Sequence, residues 1–186
     1  MLVDASCLNR MALDLRAYFE KKLGRALPKA DVALLFEALW SDVQGEIEAG
    51  DTSFQVFLVY EPSDSRLAFA ARSDLAGELN GVGVKGAGGE YAFYSFSTEG
   101  LATRESLFAD LLKVIGESGE QVRHLVLLPE DKSDSRFWTD YLEKNPKMKP
   151  KVSVLGMVQN PEWTDYPFHT VGYALMAAFG IRPDEL

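Results

Sequence analysis

The stretch FQVFLVY, residues 54–60, decides the fold of this chain of 186 residues. Apart from Gln55, its side chains are aliphatic or aromatic at every position, so both faces of a strand built from it are apolar. A strand that is apolar on both faces is typical of a sheet that helices cover on both sides. Residues 54–60 therefore predict a central strand of a layered α/β fold.

Two amphipathic helices are predicted before this strand. In the first, apolar residues recur at spacings of three and four and so share one helix face: Leu8, Met11, Leu15, Tyr18, Phe19 and Leu23. The second begins at Leu27-Pro28, because proline is tolerated in a first helical turn, and its apolar stripe continues through Ile47 toward Gly50. We expect residues 1–50 to form a helical hairpin that packs on a sheet core formed by residues 51–186, within a single domain.

The rest of the chain predicts four more strands and three more helices. The strands are residues 67–71, 91–96, 122–128 and 152–158, and the helices begin near Thr103, Ser133 and Pro167. Short links before the third strand indicate antiparallel neighbours, whereas helical connections after it indicate parallel ones. The element order α-α-β-β-β-α-β-α-β-α thus predicts an α/β, or α+β, fold with a five-stranded mixed sheet. This order is similar to that of ribonuclease H-like folds.

Charge and composition limit the classes of partner. The chain is 47% hydrophobic and carries 28 Asp and Glu against 19 Lys and Arg, a formal net charge of −9. Such a charge opposes attraction to nucleic acid and to anionic membranes, so neither is expected as a partner without a metal ion or a local basic patch. The first ten residues carry no basic residue ahead of a hydrophobic run, as a secretory signal would, and no apolar stretch approaches bilayer length. We expect a cytoplasmic protein.

Glycines between residues 81 and 86 match the pattern G-x-G-x-x-G. Backbone amides in such a loop can bind phosphate, which makes Gly83 and Lys85 candidate binding residues. A dinucleotide-binding loop follows a strand and opens a helix, whereas this one leads into the strand predicted at Tyr91. The pattern therefore favours a connecting loop over residues 74–89.

Acidic residues follow two of the predicted strands. Glu61 comes directly after residues 54–60, Glu130 and Asp131 come after residues 122–128, and Glu105 lies in the first turn of the intervening helix. Parallel strands would bring these carboxylates to one edge of the sheet, where they could hold Mg²⁺ and activate water against a phosphodiester. Glu61, Glu105 and Asp131 are the candidate catalytic residues, and Glu61 and Asp131 are the candidate metal ligands. The resemblance to ribonuclease H-like folds implies the same chemistry, although those enzymes carry an aspartate inside the first strand and residues 54–60 contain none.

An aromatic segment and a run of lysines stand out near the carboxyl end. Trp163, Tyr166 and Phe168 could present an apolar anchor to another protein, or they could fold back over the core. Lysines at positions 144, 147, 149 and 151 form the strongest local positive patch, for which a solvated loop is the simpler interpretation.

Motifs for nucleophilic or zinc catalysis are missing, since the chain has two isolated histidines and neither G-x-S-x-G nor H-E-x-x-H. The sequence therefore favours a non-enzymatic protein-interaction or binding module without a cofactor. Its partner would be another protein or a second copy, bound through the Trp163 segment, the glycine loop or an apolar face of the helical hairpin. The alternative is a metal-dependent phosphodiesterase, resembling nucleases, that uses Glu61, Glu105 and Asp131.

Overall fold

The computed structural model describes residues 1–46, 53–86, 89–118, 121–132 and 134–186. The strands are β1 (Leu2–Asp4), β2 (Ser53–Tyr60), β3 (Val82–Gly86), β4 (Gly89–Ser97), β5 (Leu125–Leu128), β6 (Val152–Gly156) and β7 (Phe168–Thr170). The α-helices are α1 (Ala5–Leu23), α2 (Val32–Val43), α3 (Arg104–Glu117), α4 (Arg136–Lys144) and α5 (Gly172–Ala178). The predicted end of the second helix, residues 47–50, lies outside the described residues.

The strands form one mixed sheet in the order β3-β4-β2-β1-β5-β6-β7. The prediction of a mixed α/β fold is confirmed, but the described sheet has seven strands and not five. β1, β3 and β7 were not predicted, because the first and last are only three residues long and the middle one is rich in glycine. Residues 67–71, predicted as a strand, instead form a partly buried turn that the isolated bridge between Ala30 and Ala70 ties down.

Strand directions differ from the prediction at the start of the sheet. β2 and β4 are parallel, with Val56 opposite Phe93, and β3 alone runs antiparallel, as an edge strand beside β4. The ribonuclease H-like topology, which assumed antiparallel neighbours ahead of the first helical crossover, is not confirmed. The N-terminal helices also differ from a simple hairpin, since β1 precedes α1 and α2 makes its largest helix contact with α5.

Alternation along the strands sends neighbouring side chains to two separate cores. On one face, Val3 and Leu58 pack with α1, α2 and α5. On the other, Leu2 and Val59 pack with α3 and α4. Helices therefore cover both faces of the sheet, as the apolar stretch at residues 54–60 predicted. Among the described helices, none is long and apolar enough to cross a membrane.

The order of the parallel strands in the described part of the sheet marks the place where a ligand is expected. On one side of β1 lie β2 and then β4. After β4 the chain crosses back to the other side of β1, where β5, β6 and β7 follow one another outward. This is the strand order of a doubly wound sheet, in which ligands bind outside the carboxyl ends of the strands at the point where the order reverses. That point lies between β1 and β5.

Candidate functional site

Asp4 is a buried acid at the carboxyl end of the central strand. β1 ends at this residue and α1 begins at the next, so Asp4 also caps α1 by accepting a hydrogen bond from the Cys7 amide at 2.8 Å. Only 3% of its side chain is exposed. Burial raises the pKa of Asp4 to about 6, and the nearby Glu130 adds to this rise, although the Cys7 amide and Arg104 act against it. A carboxyl group with such a pKa can exchange a proton near neutral pH.

Arg104 connects the ends of three neighbouring strands. It is the first residue of α3, where Thr103 caps the helix, and its guanidinium group lies 2.5 Å from Asp4. The same group lies 3.4 Å from Glu61 after β2 and 3.4 Å from Glu130 after β5. Three carboxylates from β1, β2 and β5 therefore surround one largely buried cation.

Arg10 joins the same group from α1. Its Nη2 atom donates to Glu130 at 2.7 Å and to Asp131 at 2.6 Å, and it lies 3.4 Å from the Cys7 sulfur. Burial has the largest single effect on Asp131 and works against its ionised form. The hydrogen bonds with Arg10 and Glu130 and the charges of Arg10 and Lys132 together outweigh burial and lower the pKa of this carboxyl. We call the whole set the carboxyl-edge cluster: Asp4, Glu61, Glu130, Asp131, Arg10 and Arg104. With four carboxylates and two guanidinium groups, it is acidic overall.

Part of this cluster has the spacing of a metal site. Ligand atoms of Cys7, Glu130 and Asp131 all lie within 4.8 Å of one another. Burial is the main cause that raises the pKa of the Cys7 thiol to about 12. The hydrogen bond with the Asp131 amide acts against this rise, and the nearby carboxylates add to it, so the sulfur stays protonated. A protonated thiol is a poor ligand, whereas carboxylate oxygens suit hard cations such as Mg²⁺. Glu130 and Asp131 are therefore the residues here that could hold a cation.

The structure brings two of the three predicted catalytic residues to the same edge. Glu61 contacts Arg104, Asp131 contacts Arg10, and Glu130 bridges the two arginines. Glu105 lies beside Arg104 in the first turn of α3, half-buried. The group with metal-site spacing includes Asp131 but neither Glu61 nor Glu105.

Comparison with known proteins identifies the family to which this chain belongs. A model of a family of unknown function, DUF6621, matches residues 1–186. The chain belongs to this family. No curated protein and no solved structure matches it. The family carries no described activity, so the function has to be argued from the cluster itself.

Sequence reasoning missed the residues at the centre of the cluster. Asp4 follows only three apolar residues, too short a run to show a period, so the sequence does not distinguish β1 from the start of the first helix. Arg10 and Arg104 are helical residues, and only the packing of α1 and α3 on the sheet turns them toward the strand ends. An aspartate between a short apolar run and a helix start, as at Asp4, is the one signal in the sequence that could have marked the site.

The aromatic segment lies in the core and not on the surface. Trp163 and Tyr166 are 1% and 5% exposed and pack against the ring of Trp138, while Phe168 is half-buried in β7. Of the two interpretations that the sequence left open, folding back over the core describes these positions. Their burial leaves neither Trp163 nor Tyr166 exposed as an anchor for a partner.

The glycine pattern forms a strand where a loop was predicted. Gly83 and Lys85 lie on β3, paired with Ala92 and Glu90 of β4, and both are exposed. Their amides belong to an extended edge strand, so they do not converge on one point as a phosphate-binding loop requires. Earlier in the predicted loop, Leu75–Leu79 form a short helical turn, and Ala87 and Gly88 lie outside the described residues.

Proposed function

We propose that this chain is a metal-dependent phosphodiesterase whose reaction takes place at the carboxyl-edge cluster. The observation that carries the proposal is the meeting of Asp4, Glu61 and Glu130 around Arg104 at the ends of three adjacent strands. This is the edge of a doubly wound sheet where ligands bind. It is also the edge at which the sequence predicts metal-binding carboxylates.

The residues of the cluster fit a hard divalent cation. Glu130 and Asp131 offer carboxylate oxygens of suitable spacing, and Mg²⁺ binds through one or two carboxylates together with water and substrate phosphate. A bound cation of this kind polarises a phosphoryl oxygen and lowers the pKa of a bound water.

Two features of the chain's own residues suit phosphodiester hydrolysis. A carboxyl group with a pKa of about 6 is ionised at neutral pH yet basic enough to accept a proton from attacking water, which is the role we assign to Asp4. Arg10 and Arg104 can exchange carboxylate oxygens for phosphate oxygens, because the guanidinium group matches both geometries. If Glu130 and Asp131 held a cation, Arg10 would lose its two carboxylate partners and could turn toward the substrate, whereas Arg104 would keep its pairing with Asp4.

The experiment measures hydrolysis of bis(p-nitrophenyl) phosphate with Mg²⁺ or Mn²⁺ and with EDTA. We expect turnover that EDTA abolishes and that falls at least about 100-fold in Asp4→Asn and Asp131→Asn. Asp110→Asn is the matched control, because Asp110 is an exposed acid on α3 that pairs only with Lys113 among the described residues. No metal-dependent turnover, or an equal loss in Asp110→Asn, would refute the proposal.

A protein-interaction role is the second candidate, and β3 is the feature that favours it. As an edge strand it leaves backbone groups on one side without a partner strand among the described residues, and such an edge can pair with a strand of another chain. Light scattering after size exclusion tests self-association through this edge. Lys85 is the residue to change, because its side chain is exposed and, in the register of β3 with β4, its N–H faces away from β4. A dimer that Lys85→Pro converts to a monomer would support this role, whereas a wild-type monomer would leave only a different partner protein to be sought.

A further inference from the structure

A second candidate site lies at the opposite edge of the sheet from the carboxyl-edge cluster. A cavity of about 610 Å³ opens between the ends of α3 and α4 and the start of β6. β5 and β6 begin at this edge, whereas Asp4, Glu61 and Glu130 lie at the carboxyl ends of their strands. The volume is within the range of pockets that hold small molecules.

Lysines dominate the charged lining of this cavity. Lys144, Lys147 and Lys151 line it together with a single described acid, Glu117. Lys144 and Lys147 are exposed, and neither forms an ion pair with any residue that the structure describes. The fourth lysine of the run, Lys149, is not part of the lining and instead binds Asp165 at 2.7 Å. The sequence run thus divides into Lys149, which lies outside the lining, and three lysines that line the cavity.

The stabilisation of a positive charge at a helix end explains the position of only one of the three lysines that line the cavity. Lys144 lies in the last turn of α4, where a cation is stabilised by the negative end of the helix dipole. Lys147 and Lys151 lie beyond that helix. Lys151 also donates to the Val122 carbonyl at 2.9 Å, which fixes its ammonium group beside the cavity.

We propose that this lysine cavity binds a small polyanion that carries at least two phosphate-type groups. Three ammonium groups around one cavity favour a ligand of several negative charges, and one carboxylate, Glu117, offsets only part of that attraction. The charge of −9 on the whole chain disfavours anions elsewhere, so binding depends on this local concentration of lysines. The inference is independent of the proposed phosphodiesterase activity, because the two sites lie at opposite edges.

Calorimetric titration with inorganic pyrophosphate, in EDTA and at 50 mM salt, tests the proposal. We expect the double variant Lys144→Ala, Lys147→Ala to bind at least about tenfold more weakly than wild type, and 200 mM salt to weaken binding as well. Lys21→Ala, Lys29→Ala is the matched control, because these two exposed lysines of the N-terminal region carry the same charge without lining the cavity. The control should change affinity less than about twofold.

Two further variants distinguish pyrophosphate bound in the cavity from pyrophosphate bound elsewhere on the chain. Glu117→Gln should strengthen binding several-fold, because it removes the described negative charge from the lining. Asp131→Asn should leave binding unchanged, which separates the cavity from the carboxyl-edge cluster. Equal losses in the two lysine double variants would show non-specific attraction and overturn the proposal, as would the absence of binding by wild type. Both altered lysines are exposed, so melting temperature checks that the double variant folds.

Discussion

The guanidinium group of Arg104 lies 2.5 Å from the carboxylate of Asp4, and both side chains are largely withdrawn from water. This ion pair joins the end of the central strand to the first turn of a helix that begins 100 residues later. Asp4 accepts at the same time from the Cys7 amide, so one buried carboxylate orients the starts of α1 and α3. The pair is therefore both a structural junction and the centre of the proposed site.

Removing the guanidinium group of Arg104 from this junction should destabilise the fold strongly. In Arg104→Ala, Asp4 stays buried without its counter-charge, and breaking a buried pair from one side costs about 3–5 kcal/mol of the free energy of unfolding. Urea unfolding followed by circular dichroism measures the loss. Arg136→Ala is the control, since Arg136 pairs with Asp134 on the surface with 78% of its side chain exposed, and its removal should destabilise the fold far less. A loss in Arg104→Ala no larger than in the control would contradict the assigned role.

The contact between α3 and α4 predicts that one substitution, Gly116→Ala, destabilises the chain when Tyr141 is present and stabilises it when Tyr141 is replaced by alanine. At Gly116 an added Cβ would overlap the hydroxyl of Tyr141 and lie 2.9 Å from its Cζ atom. Gly116→Ala should therefore destabilise the wild type. Overpacking costs about 1–3 kcal/mol of the free energy of unfolding, and the higher helix propensity of alanine offsets part of this cost. In a Tyr141→Ala background the clash is gone, and the same substitution should stabilise by about 0.5–1 kcal/mol. Four unfolding curves complete the cycle, and equal effects in both backgrounds would disprove the contact.

Periodicity in the sequence predicted the long elements of this fold and failed on the short ones. Residues 54–60 lie inside β2 and Thr103 caps α3, because burial on both faces and capping chemistry leave local traces. β1 and β7 have three residues each, and their strand conformation comes from pairing with neighbours rather than from their own pattern. The same limit applied to the site. Glu61 and Asp131 were recognisable as acids after strands, whereas Asp4 ends a strand that could not be seen.

Burial of the aromatic segment predicts a cost for truncating it. Trp163 is 1% exposed and its ring lies 5.9 Å from that of Trp138. Trp163→Ala should lower the free energy of unfolding by about 3–5 kcal/mol, as for other large aromatic residues removed from a core. Tyr173→Ala on α5, where 67% of the residue is exposed, should change it by less than about 0.5 kcal/mol. Similar small effects at both positions would place Trp163 at the surface and restore it as a candidate for partner binding.

Asp4 should also make the stability of the chain fall as pH rises toward neutrality. Its pKa is about 6 in the folded chain, whereas an unfolded aspartate titrates near 3.9. Between these values the folded state binds the proton more tightly, so this residue contributes stability below about pH 4 that is lost as pH rises through about 6. A difference of two pKa units corresponds to about 3 kcal/mol.

Comparison of wild type with Asp4→Asn isolates this contribution, because an asparagine does not titrate. Carboxyls whose pKa is lowered on folding, such as Asp131 and Glu20, act in the opposite direction, since their stabilisation is lost as pH falls. They are present in both proteins, so they largely cancel in the difference between the two free energies of unfolding. That difference, measured by urea unfolding from pH 4 to pH 7, should change by about 2 kcal/mol to the disadvantage of the wild type, most of it before pH 6. A difference that stays constant across this range would mean that Arg104 keeps Asp4 ionised throughout, and the proton-accepting role that we assign to Asp4 would then lose its basis.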